Sequence, residues 1–182
     1  MSRYDEVIKE NRQNKADQIA DKSRKMSAAE EKKQRYVAAF ARALPEYHQA
    51  LVKNDIWRVY KRFRKVLFVE TAETIECVQL QCWDNREYWF THCGLAITKD
   101  GRYIRLIKPS VDKRGKNYVD TVADYEEMNA DQFAQRIYDG LHLEDNWPFH
   151  SRDGKYQKLN EALKNDDADE LAFQYFAFCL PK

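Results

Sequence analysis

Glycine, proline and the short motifs that mark cofactor sites are scarce in this sequence. Its 182 residues include 5 glycines and 4 prolines, too few for an all-β sandwich with many tight turns. The glycines stand singly, so P-loop and dinucleotide-binding proteins are excluded. There is no run of 18 apolar residues, no apolar signal core and no CxxC pair among the 4 cysteines. These absences predict a soluble, reduced, cytoplasmic protein without a membrane segment.

Large apolar side chains are plentiful enough for a core. Tyr and Phe together occupy 20 of the 182 positions, and a chain of this length can bury a core without disulfide or metal support. Residues 3–25, in contrast, are polar almost all round. We therefore predict a charged helical arm or extension over 1–26 and a single domain over 27–182.

Two N-terminal helices are predicted within that domain. Ser27 and Glu30 form a capping box, and the helix that follows is expected to end at Pro45 before a short second helix. The next segment, WRVYKRFRK (57–65), has five cations among nine residues. Read as a helix, it places Ile56, Tyr60 and Phe63 on one apolar stripe. Read as a strand, it mixes charge into the core face, so the helix is favoured.

The apolar period changes to two from Thr74 onward. Lys99-Asp100-Gly101 lies between two apolar runs, and Asp-Gly in that position is a strong hairpin signal. We expect a small antiparallel sheet of three strands over about 74–108, ended by Pro109, and then a polar loop over 110–116.

The C-terminal part predicts helices. Asn129 and Gln132 form a second capping box. A further helix is expected around Tyr156, Leu159 and Leu163, and residues 169–180 have helical spacing, with a buried strand as the alternative. The fold class is α+β, with N-terminal helices, a small antiparallel sheet and C-terminal helices.

The net charge of +1 conceals a strong asymmetry. Residues 1–65 carry +8, 66–98 carry −4, 99–117 carry +5 and 118–182 carry −8. Two explanations stay open: the charged faces bind a charged partner, or the basic and acidic halves fold against each other and cancel.

Clustered cations with aromatic residues among them are typical of nucleic-acid grooves. Trp57, Tyr60 and Phe63, however, have the spacing of core residues rather than of a stacking surface. The predicted nucleic-acid-binding residues are Arg58, Lys61, Arg62, Lys65, Arg102 and Arg105.

An enzymatic alternative is an RNA-cutting or RNA-trimming site with general acid/base groups. Its candidates are His142, Glu144, Asp145 and His150, for which a solvated acidic loop is the simpler explanation. Cys77, Cys82, His92 and Cys93 match no zinc spacing. No metal and no cofactor is predicted.

In its size, its tyrosine content and its lack of a motif, the chain resembles the type II anti-CRISPR proteins, small phage and plasmid proteins that inhibit an RNA-guided nuclease. The resemblance implies an inhibitor whose partners are the nuclease and its guide RNA and which blocks guide RNA or DNA engagement, although a few such inhibitors act on the guide RNA as enzymes. Our leading hypothesis is a non-enzymatic binding protein of this kind. A third hypothesis is a helical assembly module that pairs with another chain through residues 3–44. The sequence leaves the oligomeric state open.

Overall fold

The computed structural model describes residues 3–66, 69–80, 82–84, 89–91, 94–114, 117–141 and 156–180. Its contacts divide the chain into two units, Met1–Arg35 and Tyr36–Lys182. In the described residues there are four helices and nine strands, with helices before and after the strands. The predicted α+β class is confirmed.

The first helix, α1, covers Arg3–Asn54. All side chains from position 12 to position 31 are exposed. Polar side chains one turn apart contact each other there, as in the ion pair of Lys25 with Asp21 at 2.8 Å. Each such pair contributes only a few tenths of a kcal/mol. The assignment of residues 1–26 to a charged arm stays a prediction.

Helix α1 continues past Ser27 and Pro45, so the predicted helix start and helix end are both wrong. Pro45 has no N–H to donate within the helix, a cost of about 3 kcal/mol. Its side chain is exposed, whereas Leu44, Tyr47 and Leu51 around it are all buried in one core. Burying these side chains from a single helix outweighs the cost of the proline.

The segment after α1 is a strand, and the predicted helix over 57–65 is wrong. Strand β1 (Arg58–Val66) pairs antiparallel with β2 (Val69–Gln79) along its whole length. Lys61, one of the charges that argued against a strand, lies on the outer face opposite Thr74, whereas the buried Arg62 lies opposite Glu73 and its charge is paired across the ladder.

The sheet extends on both sides of the predicted 74–108 region. Three of its strands, β2, β5 (Leu95–Thr98) and β6 (Tyr103–Ile107), are the expected antiparallel neighbours. The predicted polar loop over 110–116 is wrong for 110–114, which form β7. The remaining strands are β3 (Cys82–Asp84), β4 (Trp89–Thr91), β7 (Ser110–Arg114), β8 (Asn117–Thr121) and β9 (Asp124–Met128).

The hairpin at Asp100-Gly101 is confirmed. Gly101 has φ +86°, a conformation that favours glycine. Its N–H donates to the Thr98 carbonyl at 2.9 Å, and the Thr98 N–H donates to the Arg102 carbonyl at 2.9 Å. The turn therefore joins β5 to β6 as the sequence predicted.

The seven-stranded sheet has the order β7-β8-β1-β2-β5-β6-β9, with β7 and β9 at its ends, and a short link between β8 and β9 closes the curled sheet. Strands β8 and β9 are separated only by Val122 and Ala123, which we call the closure link. The Val122 N–H donates to the Lys61 carbonyl on β1 at 3.1 Å, and the Ala123 N–H donates to the Ile107 carbonyl on β6 at 3.0 Å. Because β2 and β5 lie between β1 and β6, the sheet must curl for two residues to reach both.

The inside of the closed sheet is a small apolar core. At one point the backbones approach so closely that a Cβ on Gly94 would lie 2.6 Å from the Leu106 carbonyl oxygen, and Gly94 also has φ +76°. Only glycine fits there without strain. The buried residues of this core are Tyr60, Ile75, Cys77, Ala96, Ile104, Leu106 and Val122.

A larger core lies between the helices and the outer face of the sheet. It packs α1 from Tyr36 onward with α2 (Ala130–Gly140), α3 (Gln157–Lys164) and α4 (Ala168–Cys179). The capping box of Asn129 and Gln132 at the start of α2 is confirmed, as are the two helices after it. The last element is a helix, not the alternative strand.

Candidate nucleic-acid interface

The six predicted nucleic-acid-binding residues do not form one surface. Side chains alternate along a strand, so in β1 Tyr60 and Arg62 face the inside of the closed sheet and Lys61 faces outward. In β6, Ile104 faces inward and Arg105 outward. The side chain of Lys65 lies outside the part of the chain that the structure describes.

Arg58 is bound to a carboxylate of β8. Its Nε and Nη2 donate to the two oxygens of Asp120 at 2.6 and 2.8 Å. The hydrogen bond to Asp120 raises the pKa of Arg58. This two-point contact fixes the guanidinium plane, so the charge of Arg58 is already paired within the fold.

Arg62 is the most buried of the predicted residues whose side chains the structure describes. It donates from Nη2 to Glu73 and from Nη1 to Asp124, and its side chain is only 7% exposed. Its guanidinium carbon lies 4.6 Å from the centre of the Tyr125 ring, whose hydroxyl donates to Glu73 at 3.1 Å. These four side chains, which we call the Arg62 cluster, connect β1, β2 and β9.

The carboxylates of the Arg62 cluster have lowered pKa values. Burial raises the pKa of Glu73, but the hydrogen bonds from Arg62 and Tyr125 outweigh it. For Asp124, the N–H of Tyr125, at 2.9 Å, is the largest cause and the hydrogen bond from Arg62 the next. Both groups are therefore ionised at neutral pH.

Arg102 is held by carboxylates on both sides. It donates to Asp100 at 2.7 Å and to Glu127 at 2.6 Å, and its guanidinium carbon lies 5.8 Å from the centre of the Tyr125 ring. The hydrogen bond to Glu127 is the main cause of its raised pKa. Arg102 is thus neutralised within the fold.

The charge asymmetry of the sequence is therefore partly cancelled inside the protein. Asp120, Asp124 and Glu127 of the acidic C-terminal region pair with Arg58, Arg62 and Arg102 of the basic segments. The sequence offered this arrangement as one of two explanations, but it could not name the pairs because the strand order was not visible in it.

Five cations of the basic strands make no ion pair within the described residues. Two of them are predicted site residues, Lys61 and Arg105. Both lie on the outer face, on strands that the closure link joins. The other three are Arg64, Lys108 and Lys113.

The aromatic residues Trp57 and Tyr60, at the start of β1, do not form a stacking surface, and the sequence had also predicted core positions for them. Tyr60 is 3% exposed and lies in the inner core, and Trp57 packs against the helical core. Tyr118 of β8, which was not among the predicted site residues, is 73% exposed and lies directly opposite Lys113 in the ladder. Strand alternation around position 118 was the signal that could have identified it.

The described residues give little support to a catalytic site or a metal site. His142, Glu144, Asp145 and His150 lie outside them, so the enzymatic site stays a prediction. Burial raises the pKa of the Cys77 thiol to about 12, which leaves it protonated and unreactive at neutral pH. His92 and Cys93 lie outside the described residues, and within these no group of three potential metal ligands occurs.

No protein-family model, no curated protein and no solved structure matches this chain. Among the described helices, none has both the length and the apolar content needed to cross a membrane.

Proposed function

We propose that this protein is a non-catalytic binding protein that contacts the phosphate backbone of a nucleic acid, alone or within a ribonucleoprotein. The observation that carries the proposal is the outward position of Lys61 and Arg105, for which no carboxylate partner exists among the described residues. When an unpaired cation binds a phosphate, the counterions held by the nucleic acid are released. This release supplies most of the affinity of such interfaces.

A neighbouring pair adds a second kind of contact. Lys113 and Tyr118 face each other across the β7–β8 ladder, and the Tyr118 ring is largely exposed. An exposed ring beside a cation can stack on a base while the cation meets the adjacent phosphate. This pair suits a single-stranded nucleic acid better than a duplex, whose bases are already stacked.

The test is a salt titration of binding to a labelled single-stranded RNA, followed by fluorescence anisotropy. Each phosphate contact on a single strand should contribute about 0.7 to the slope of log K against log salt concentration. We expect Lys61→Gln and Arg105→Gln each to lower the slope by about that amount.

The matched control is Arg102→Gln, which removes a cation that Asp100 and Glu127 already neutralise. It should leave the slope unchanged. A flat salt dependence of the wild-type protein, or equal effects of Lys61→Gln and Arg102→Gln, would overturn the proposal.

An RNA-guided nuclease loaded with its guide is the ribonucleoprotein to test first, because the sequence resembles the inhibitors of such enzymes. We expect added protein to slow cleavage of target DNA, and Lys61→Gln with Arg105→Gln to weaken that inhibition. If this double variant still inhibited cleavage fully, Lys61 and Arg105 would not take part in the inhibitory contact.

A further inference from the structure

An open apolar groove lies between α4 and the part of α1 that follows Tyr36. Its volume is about 370 Å³. Small side chains make room for it, since Ala39, Ala43 and Ala50 line one wall and Ala177 lines the other. The groove uses none of the cations discussed above for nucleic-acid contact, so it is a separate surface.

The floor of the groove is made of closely packed aromatic rings. The rings of Tyr47 and Phe176 stack with their centres 4.7 Å apart, and both residues are at most 5% exposed. Phe40 packs edge-on against Phe176 from the core side, with ring centres 6.2 Å apart. The groove is therefore preformed, so a group that enters it need not reorganise the protein.

A large apolar side chain stands at the edge of the same groove. Phe173 of α4 is 57% exposed and lies one turn before Ala177. Exposed aromatic side chains next to a well-packed apolar depression are typical anchors of protein interfaces. The surface thus carries both a projecting ring and a depression that can accept one.

The charges at the rim are self-complementary. Arg42 and Glu46 lie one turn apart on α1, and a two-fold axis that crosses α1 between them would place Arg42 of each copy opposite Glu46 of the other. Glu46 makes no ion pair within the described residues. Arg42 pairs with Asp169 at 2.6 Å, but both side chains are more than half exposed, so little is lost on exchanging that partner.

We propose that this groove is the interface of a symmetric homodimer, in which Phe173 of each copy enters the groove of the other. If the charged side chains around the groove all had the same sign, they would favour a different protein of opposite charge. Charges of both signs on one helix instead fit a second copy of this chain. The contact is small compared with the roughly 1,600 Å² of a standard stable interface. The dimer should therefore dissociate at about micromolar concentration.

The experiment is sedimentation equilibrium of the full chain over a wide concentration range. We expect a reversible change from the one-chain to the two-chain mass. Phe173→Lys and Ala177→Arg should each abolish it, and both positions are exposed, so the fold is spared. Val111→Lys, at an equally exposed apolar residue outside the groove, is the matched control and should leave the dimer intact.

A charge exchange tests the two-fold arrangement itself. Arg42→Glu and Glu46→Arg should each weaken the dimer at least tenfold, and the double variant should restore it, because opposite charges face each other again. A wild-type protein that stays monomeric up to several hundred micromolar overturns the proposal. So does a dimer that persists in both Phe173→Lys and Ala177→Arg.

Discussion

The Arg62 cluster gives the sharpest test of the energetics of this fold. We consider Arg62→Met, which keeps an apolar stem next to Tyr125 and removes the guanidinium. The wild-type side chain is 7% exposed and binds two carboxylates that are 39% and 57% exposed. Water can therefore solvate the carboxylates that the substitution leaves behind, so the cost is smaller than that of orphaning a fully buried charge.

The magnitude follows from the bonds lost. Hydrogen bonds to charged groups contribute about 1.5–3 kcal/mol each before the carboxylates regain hydration. The substitution also removes the Arg62 Nε, which is buried without a hydrogen-bond partner and whose loss offsets part of the cost. We expect Arg62→Met to lower the free energy of unfolding by about 2 kcal/mol. Arg102→Met, at a side chain that is 41% exposed, should cost about 1 kcal/mol or less.

The pH dependence has a definite sign. The pKa values of Glu73 and Asp124 are lowered from 4.5 and 3.8 in the folded protein, so both groups stabilise it above those values. That contribution is lost as the pH falls through the lowered values. The difference between wild type and Arg62→Met should therefore be full at pH 7 and shrink as the pH falls below about 4.

Urea denaturation followed by tryptophan fluorescence, repeated from pH 7 downward, measures both quantities. The reasoning is refuted if Arg62→Met costs no more than Arg102→Met, or if its cost is the same on both sides of the carboxylate pKa range. A changed m-value would show that the substitution alters the surface exposed on unfolding.

Two further predictions concern single side chains and are checked by the same denaturation measurement. Gly94→Ala should lower the free energy of unfolding by more than about 2 kcal/mol, because the new Cβ would lie 2.6 Å from the Leu106 carbonyl oxygen. Gly101→Ala should cost only about 1 kcal/mol, because its Cβ would lie 3.4 Å from the His48 ring. Equal costs for the two substitutions would contradict the steric argument. Tyr47→Phe should be neutral or stabilising, because the buried Tyr47 hydroxyl has no hydrogen-bond partner. Tyr36→Phe removes a 2.9 Å hydrogen bond to Asp166 and should lower the free energy of unfolding by about 1 kcal/mol. A larger cost for Tyr47→Phe than for Tyr36→Phe would contradict this reasoning.

The elements that sequence predicted well are those specified by adjacent residues. The turn at Asp100-Gly101 needs a glycine with positive φ, and the capping box of Asn129 and Gln132 needs two side chains three positions apart. Both signals are complete within a few residues. The elements predicted wrongly depend on distant partners. The strand over 58–66 is stable because Glu73 and Asp124 neutralise Arg62, and no local pattern reveals that.

The candidate site stays a prediction, and its arrangement could not be read from the sequence. The sequence singled out the cation-rich segments and took one of them for a helix, whereas strand alternation turns Arg62 inward and Lys61 outward. A helical assignment puts these two neighbours on similar surfaces, so it could not separate them. Only the pairing of β1 with β2 and the closure link determines which cations are engaged.

The closure link also sets the order in which the sheet can form. The hairpin of β5 and β6 joins residues a few positions apart, whereas Lys61 and Thr121 are sixty positions apart along the chain. Bringing such distant segments together costs more chain entropy than closing a local hairpin does. Pairing of β8 with β1 should therefore come late in refolding. Until then Asp124 has no access to Arg62, and the amide of Val122, which donates to the Lys61 carbonyl, should be among the last to gain protection from hydrogen exchange.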